Sequence, residues 1–166
     1  MKKRLLLKHS FFLLFLAIVL VSSCDKNRIA YQEYALADGE WNKDSILYFK
    51  SDSLVGLSDP IGFQIDLRHN LDYEYRNIWL FVELEMPNGT ILKDTLQKVF
   101  MQPTGEWMED VQGSGAVKES VVNFKYGVKS PEPGVYKLAV QHGMRSDVVG
   151  GILNVGFKIN RLEIKK

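Results

Sequence analysis

A single cysteine, Cys24, and two histidines of the chain body, His69 and His142, are the first residues whose types could do chemistry. A Ser-His-Asp hydrolase needs a histidine held between a hydroxyl and a carboxylate. His69 closes one run of alternating apolar residues and His142 continues another, which is ordinary strand-end placement. Zinc needs several Cys, His or carboxylate ligands at close spacing, and there is neither a second cysteine nor a histidine pair at helical or finger spacing. Gly113-Ser114-Gly115 lacks the lysine and helix entry of a phosphate loop, so it reads as flexible backbone. Glycosidase carboxylates are defined by their separation in space, and Glu83 and Glu85 alternate with apolar residues as a solvated strand face does. The expectation is a chain that is not an enzyme, with no catalytic residue, metal site, cofactor or small-molecule substrate.

Cys24 has a different chemistry open to it. It follows Leu20-Val21-Ser22-Ser23, an aliphatic residue and then small ones, in the pattern of a bacterial lipobox. A thiol there forms a stable thioether to diacylglycerol, and small residues let the Ser23–Cys24 bond enter a peptidase site within the membrane. Ahead of it, Phe11 to Val21 supplies eleven apolar residues, too few for the roughly 20 that a spanning helix needs. Lys2, Lys3, Arg4 and Lys8 precede that run with no acidic residue, the order of a secretory signal. Residues 1–23 are therefore expected to be a cleaved lipoprotein signal peptide, and Cys24 the lipidated first residue of the mature chain. With no other cysteine, a disulfide is closed to it.

Removal of residues 1–23 leaves 143 residues, and loss of four basic residues turns a formal net charge of +1 into −3. Nucleic acid, which calls for a basic patch, is not an expected partner. The length suits one domain. Residues 24–29 begin polar and charged and read as a short lipidated tether, with a single domain over 30–166.

Period-two alternation dominates that domain. Ile61, Phe63, Ile65 and Leu67 share one face of a strand, and Ile78, Leu80, Val82, Leu84 and Met86 share one face of another. Asn88-Gly89 predicts a type I′ hairpin turn returning through Thr90 to Leu96, which also explains the sequon-like Asn88-Gly89-Thr90 without glycosylation. Further strands are predicted at Tyr31–Leu36, Ser45–Phe49, Val121–Tyr126, Tyr136–Val140 and Ile152–Ile159. No stretch carries a convincing helical repeat with caps. The fold class is all-β: an antiparallel β-sandwich of seven to nine strands in two packed sheets, with Gln102–Ser120 as a long crossing loop. Trp79 and Phe81 fall opposite Ile78 and Leu80, which predicts a strand buried on both faces; the alternative is an aromatic patch exposed for a partner.

The spaced residues Trp41, Lys43, Asp44, Ile46 and Phe49, then Arg68, Tyr73, Tyr75 and Asn77, form part of an ordered pattern. Gly134, Tyr136, Gln141, Met144, Arg145, Asp147, Gly151, Ile152, Val155 and Gly156 complete it. Together with the lipobox, this pattern resembles the gliding motility lipoprotein GldH family of Bacteroidetes. It departs from the family where Gly105 and Trp107 are followed by Met108-Glu109-Asp110-Val111-Gln112 before the next glycine. The resemblance implies a cell-envelope lipoprotein held on the outer membrane by the lipid on Cys24. Its implied partners are other gliding and type IX secretion envelope proteins, with no catalytic residues carried over. Trp107, Arg145 and Asp147 are the candidate partner-binding residues, although Arg145 and Asp147 read first as a local salt bridge. A glycan-binding envelope sandwich, with Trp79, Phe81 and Trp107 as stacking platforms, is the alternative.

Overall fold

The computed structural model describes residues 26–129 and 131–162. The expected signal peptide, Ser23 and Cys24 lie outside the described residues. The strands are β1 (Arg28–Ala35), β2 (Trp41–Asn42), β3 (Leu47–Lys50), β4 (Ile61–Asn70), β5 (Asn77–Glu85), β6 (Ile91–Val99), β7 (Val117–Val128), β8 (Lys137–His142), β9 (Val148–Val149) and β10 (Ile152–Arg161). A 3-10 turn at Ala37–Gly39 follows β1.

A first sheet has the order β1-β10-β4-β7, a second the order β3-β8-β5-β6, and β2 and β9 form a small ribbon. All pairings are antiparallel. Among the eight longer strands every connection passes from one sheet to the other except β5 to β6, which is the order of a jelly-roll sandwich. The expected two packed sheets are present. The two-residue strands β2 and β9 are too short to leave a periodic trace in the sequence.

Alternation explains the core. On β4 the side chains of Ile61, Phe63, Ile65, Leu67 and His69 are fully buried, while Gln64, Asp66 and Arg68 face outward. Ile78, Leu80, Val82 and Leu84 of β5 meet them from the second sheet. Fully burying each such side chain contributes about 1.5–3 kcal/mol. Phe63 packs on Tyr136 at 5.2 Å and on Phe157 at 6.2 Å between ring centroids, stitching the two layers. A register shift between Ile152 and Asn154 lets Ile152 stay inward with Val155, Phe157 and Ile159 although the spacing is odd.

Three local expectations are corrected. The β5–β6 connection is not type I′, because Asn88 does not adopt a positive φ and only Gly89 does, at 81°. Pro87 fixes a negative φ at the first turn position, so Gly89 N–H bonds to the Met86 carbonyl at 2.9 Å and Gly89 closes a three-residue loop. The crossing loop ends sooner than Ser120, since β7 begins at Val117 and bonds β4 from Asn70 onward. Both faces of β5 are not buried: Trp79 is 38% and Phe81 49% exposed. The outer face of the second sheet has no layer over it among the described residues, so the aromatics meet solvent. At the other boundary, β1 already pairs with β10 at Arg28, inside the expected tether.

The edge strand β6 turns Asp94 and Lys98 toward the first sheet, opposite Val82 and Ile78. Lys98 is buried and its amine bonds Asp110 of the crossing loop, while Asp94 reaches Lys125 of β7 at 3.9 Å. Inward charges on an edge strand discourage further strand addition.

Candidate functional site

The chain enters the sandwich beside its own last strand: Arg161 N–H bonds the Asn27 carbonyl at 2.7 Å, and Leu162 N–H bonds that of Pro60 at 2.8 Å. From there β1 runs along β10 until Ala35 faces Asn154. At about 3.3 Å per residue this carries the chain roughly 25 Å to the opposite end of the molecule. That far end is built from the close of β4, the starts of β5 and β10, and the loops 100–116 and 143–147.

A row of rings supports it. His69 lies 4.3 Å from Phe100, 5.7 Å from Tyr73 and 5.6 Å from Trp107, and Tyr73 lies 5.8 Å from Tyr75. Tyr73 donates its hydroxyl to the Asn77 carbonyl at 2.8 Å, and Tyr75 meets Ser146 Oγ at 2.5 Å. Burial raises the Tyr73 phenol far above its ordinary range. Gly151 makes this packing possible: its φ is +84°, and a Cβ there would stand 2.5 Å from the Tyr73 nitrogen.

Two imidazoles are buried in this end, one from each sheet. His69 and His142 are 0% and 1% exposed. Burial, the leading cause, holds both below their ordinary value of 6.5. His142 stacks edge-on to Trp41 at 5.5 Å, and the Trp41 backbone opposes part of the effect of burial on its ring. Neither histidine meets the Ser-Asp constellation of a hydrolase in the hydrogen bonds it makes. Among the described residues no group of three or more His, Cys, Asp or Glu is placed to hold a metal ion.

The three candidate partner-binding residues share this end without forming one patch. Trp107 is half-buried, its ring against His69 on one side and Lys118 Nζ 5.4 Å from its centroid. Asp147 pairs with Lys43 rather than with Arg145, and each shifts the other, Lys43 upward and Asp147 downward. The local ion pair expected between Arg145 and Asp147 is therefore replaced by one across the β2–β9 ribbon, whose strands bring Lys43 and Asp147 together. Arg145 is exposed and has no ionic partner among the described residues.

Arg145 instead borders the exposed aromatics. Gly143 N–H bonds the Trp79 carbonyl at 2.7 Å, and Trp79 N–H points to Met144 Sδ at 3.4 Å, which fixes the loop against β5. The Phe81 ring lies on Gly143, where a Cβ would stand 3.0 Å from it. A depression of about 520 Å³ is lined by Tyr75, Trp79, Phe81, Met144 and Arg145 among others. A second, of about 560 Å³, adjoins it across Phe81 and reaches Ile46, Ala139 and Gln141. The sequence signal for this surface was the pair Trp79 and Phe81 opposite the core face. Its link to Arg145, 64 or more residues away along the chain, had none.

The family model described as GldH lipoprotein matches residues 28–159, from the first residue of β1 to within two residues of the end of β10. The chain is 40% identical over 159 residues to a gliding motility lipoprotein GldH homolog of Christiangramia forsetii, covering 92% of this chain and 95% of that one. It is 32% identical over 156 residues to the gliding motility lipoprotein GldH of Flavobacterium johnsoniae, covering 90% and 94% respectively. Among solved structures, a non-crystalline cellulose specific carbohydrate-binding module is similar over 81% of this chain and 73% of its own. At 14% identity and a TM-score of 0.38 that likeness carries no argument. The match along the whole sandwich, with relatives of nearly equal length, establishes that this chain belongs to the GldH lipoprotein family.

Proposed function

We propose that this chain is a non-catalytic lipoprotein of the cell envelope, fixed to the outer membrane by lipid on Cys24, that serves the gliding motility apparatus in association with type IX secretion. The observation that carries this reading is the 40% identity to a gliding motility lipoprotein GldH homolog along 92% of the chain. The lipobox residues Leu20 to Cys24 support the anchor. Each acyl methylene buried in the bilayer contributes about 0.8 kcal/mol, so several chains hold essentially permanently. The geometry suits an accessory component. The chain joins the sandwich at Arg28, four residues past Cys24, and the aromatic far end stands roughly 25 Å beyond it along β1. An anchor confines that end to a thin layer above the membrane and raises its effective concentration toward other envelope proteins.

Deletion of the chain should abolish colony spreading and impair export of type IX cargo, and the wild-type chain, labelled by radioactive palmitate, should restore both. Cys24→Ala should lose the label, leave the membrane fraction and fail to restore either. Full complementation by an unlabelled, soluble Cys24→Ala chain would sink the anchoring, and normal spreading and secretion in the deletion strain would sink the function.

A further inference from the structure

Scattered apolar side chains on a surface need no explanation, but here they form a continuous shape. Phe81 is a ridge between two depressions of about 520 and 560 Å³ on the outer face of the second sheet, which no described residue covers with a further layer. Trp79 precedes it by two residues on the same side of β5, about 7 Å away, and Ile46, 41% exposed, stands on the far side. The depression beside Trp79 is mostly apolar and the one beyond Phe81 is mixed, lined also by Glu83, Lys93 and Thr95; exposed aromatic bulk at such a concavity is a mark of binding sites.

The charges around them single out the occupant. Of the charged side chains lining the two depressions, Glu83 and Lys93 pair with each other at 2.6 Å and Asp94 is turned to Lys125 at 3.9 Å. Arg145 alone has no ionic partner among the described residues. A guanidinium presents a planar fork that fits a carboxylate with two parallel hydrogen bonds. Carboxylates that would otherwise receive sugar hydroxyls are held by lysines, so the vacancy in this surface is for negative charge beside apolar bulk. Arg28, four residues past Cys24, begins β1 at the end of the sandwich opposite Arg145, which favours a partner protein over the anchoring membrane as the occupant.

We infer that this surface docks an extended acidic segment of a partner protein. One apolar side chain of the segment sits beside Trp79, another crosses the Phe81 ridge, and a neighbouring carboxylate pairs with Arg145. In an extended segment, alternate side chains are spaced as Trp79 and Phe81 are. The inference rests on the reading of this chain as an anchored accessory component and names the chemistry of what that component holds.

The probe is a library of random dodecapeptides displayed on phage, selected against the full chain in detergent micelles, with enriched peptides then synthesised and measured by fluorescence anisotropy. Enriched peptides should carry Asp or Glu within two positions of an aromatic or aliphatic residue. Arg145→Glu should weaken their binding at least about tenfold, and a Lys in place of the peptide acid should restore it on that variant. Phe81→Ser should weaken binding as much without moving the melting temperature. Should Phe81→Ser unfold the chain, Arg145→Glu, which alters an exposed side chain, decides alone. Peptides without acid, or affinities unchanged by Arg145→Glu, overturn the inference. So do glycan-array binding or self-association in sedimentation that Phe81→Ser removes while no peptide binds, which would give the surface to a glycan or to a second copy. The assay is independent of motility: a dispensable chain that still binds acidic peptides would overturn the proposed function alone.

Discussion

On the outer face of the first sheet, Lys158 reaches Asp66 at 3.0 Å, Arg68 reaches Glu119 at 3.1 Å, and Gln64 Nε2 donates to Asn123 Oδ1 at 2.8 Å. On the outer face of the second, Glu83–Lys93 and Glu85–Lys137 pair along one half of β5 while Trp79 and Phe81 stand open on the other, and Tyr48, 64% exposed, lies in register with Glu83 across β8. Each face lays a ring over a glycine, Tyr31 over Gly156 and Phe81 over Gly143. The same period-two alternation produced both. The first sheet knits its outward side chains into a network dense enough that burial lifts the Asp66 carboxyl above its ordinary value of 3.8 despite Lys158. Partial burial, with the Glu33 and Asp66 carboxylates beside it, likewise pushes the Tyr31 phenol up to about 12 although the residue is 41% exposed. The second sheet leaves apolar surface that nothing in the described chain covers. Alternation thus assigns a side chain to a face, and the neighbours across the ladder decide whether that face is finished or left open.

Beneath the two faces the contrast should vanish. Ile65→Ala under the first and Leu80→Ala under the second each empty a fully buried position. Each should cost about 2–5 kcal/mol in urea titrations; a large difference between them would mean that the two layers do not share one core. On the outer faces the contrast should reappear. Lys158→Met leaves Asp66, one of whose oxygens is already buried without a partner, with neither oxygen bonded. A loss of about 1–3 kcal/mol at neutral pH is expected in the same titrations.

The two buried imidazoles should act alike, because each sheet contributes one. The unfolded chain binds protons that the folded chain refuses, since burial holds the folded histidines below 6.5. Stability present above that value is lost as pH falls below it, by up to about 1.4 kcal/mol per pH unit for each histidine. Denaturation midpoints between about pH 7.5 and pH 5.5 should therefore fall steeply, and His69→Phe and His142→Phe should each flatten the slope. A slope unchanged in both variants would place the acid sensitivity elsewhere. Smallest of all, Phe81→Ser should move stability by less than about 1 kcal/mol, since its ring is half exposed. A greater loss would show that the open face is part of the fold rather than surface kept for another molecule.

The inward faces of β4 and β5 could be read directly from the residues because their alternation is unbroken for several turns of the pleat. Ile152 to Ile159 could be read in outline, though its bulge could not, since a register shift is set by the partner strand. Trp79 and Phe81 misled in a specific way: large aromatics are apolar by type, and they are exposed because no layer among the described residues covers them. Asp147 misled for another reason. Arg145 is its neighbour in sequence, but its ionic partner Lys43 is 104 residues away and arrives through the two-residue ribbon that no periodicity announces. Of the candidate site, the residues Trp107, Arg145 and Asp147 could be named in advance, and their separate surroundings could not.

The pairing of β1 with β10 has a mechanical side. The chain enters at Arg28 and runs away from that end with its neighbour antiparallel through Ala35 and Asn154. A pull between an anchor ahead of Arg28 and anything gripped at the far end is therefore directed along the strand. The ladder bonds of β1 are then loaded together, in shear, rather than peeled one after another. Resistance to such a pull is a matter of unfolding rate, and an edge strand that looks like the weakest member of the sheet becomes the element through which tension enters the whole sandwich.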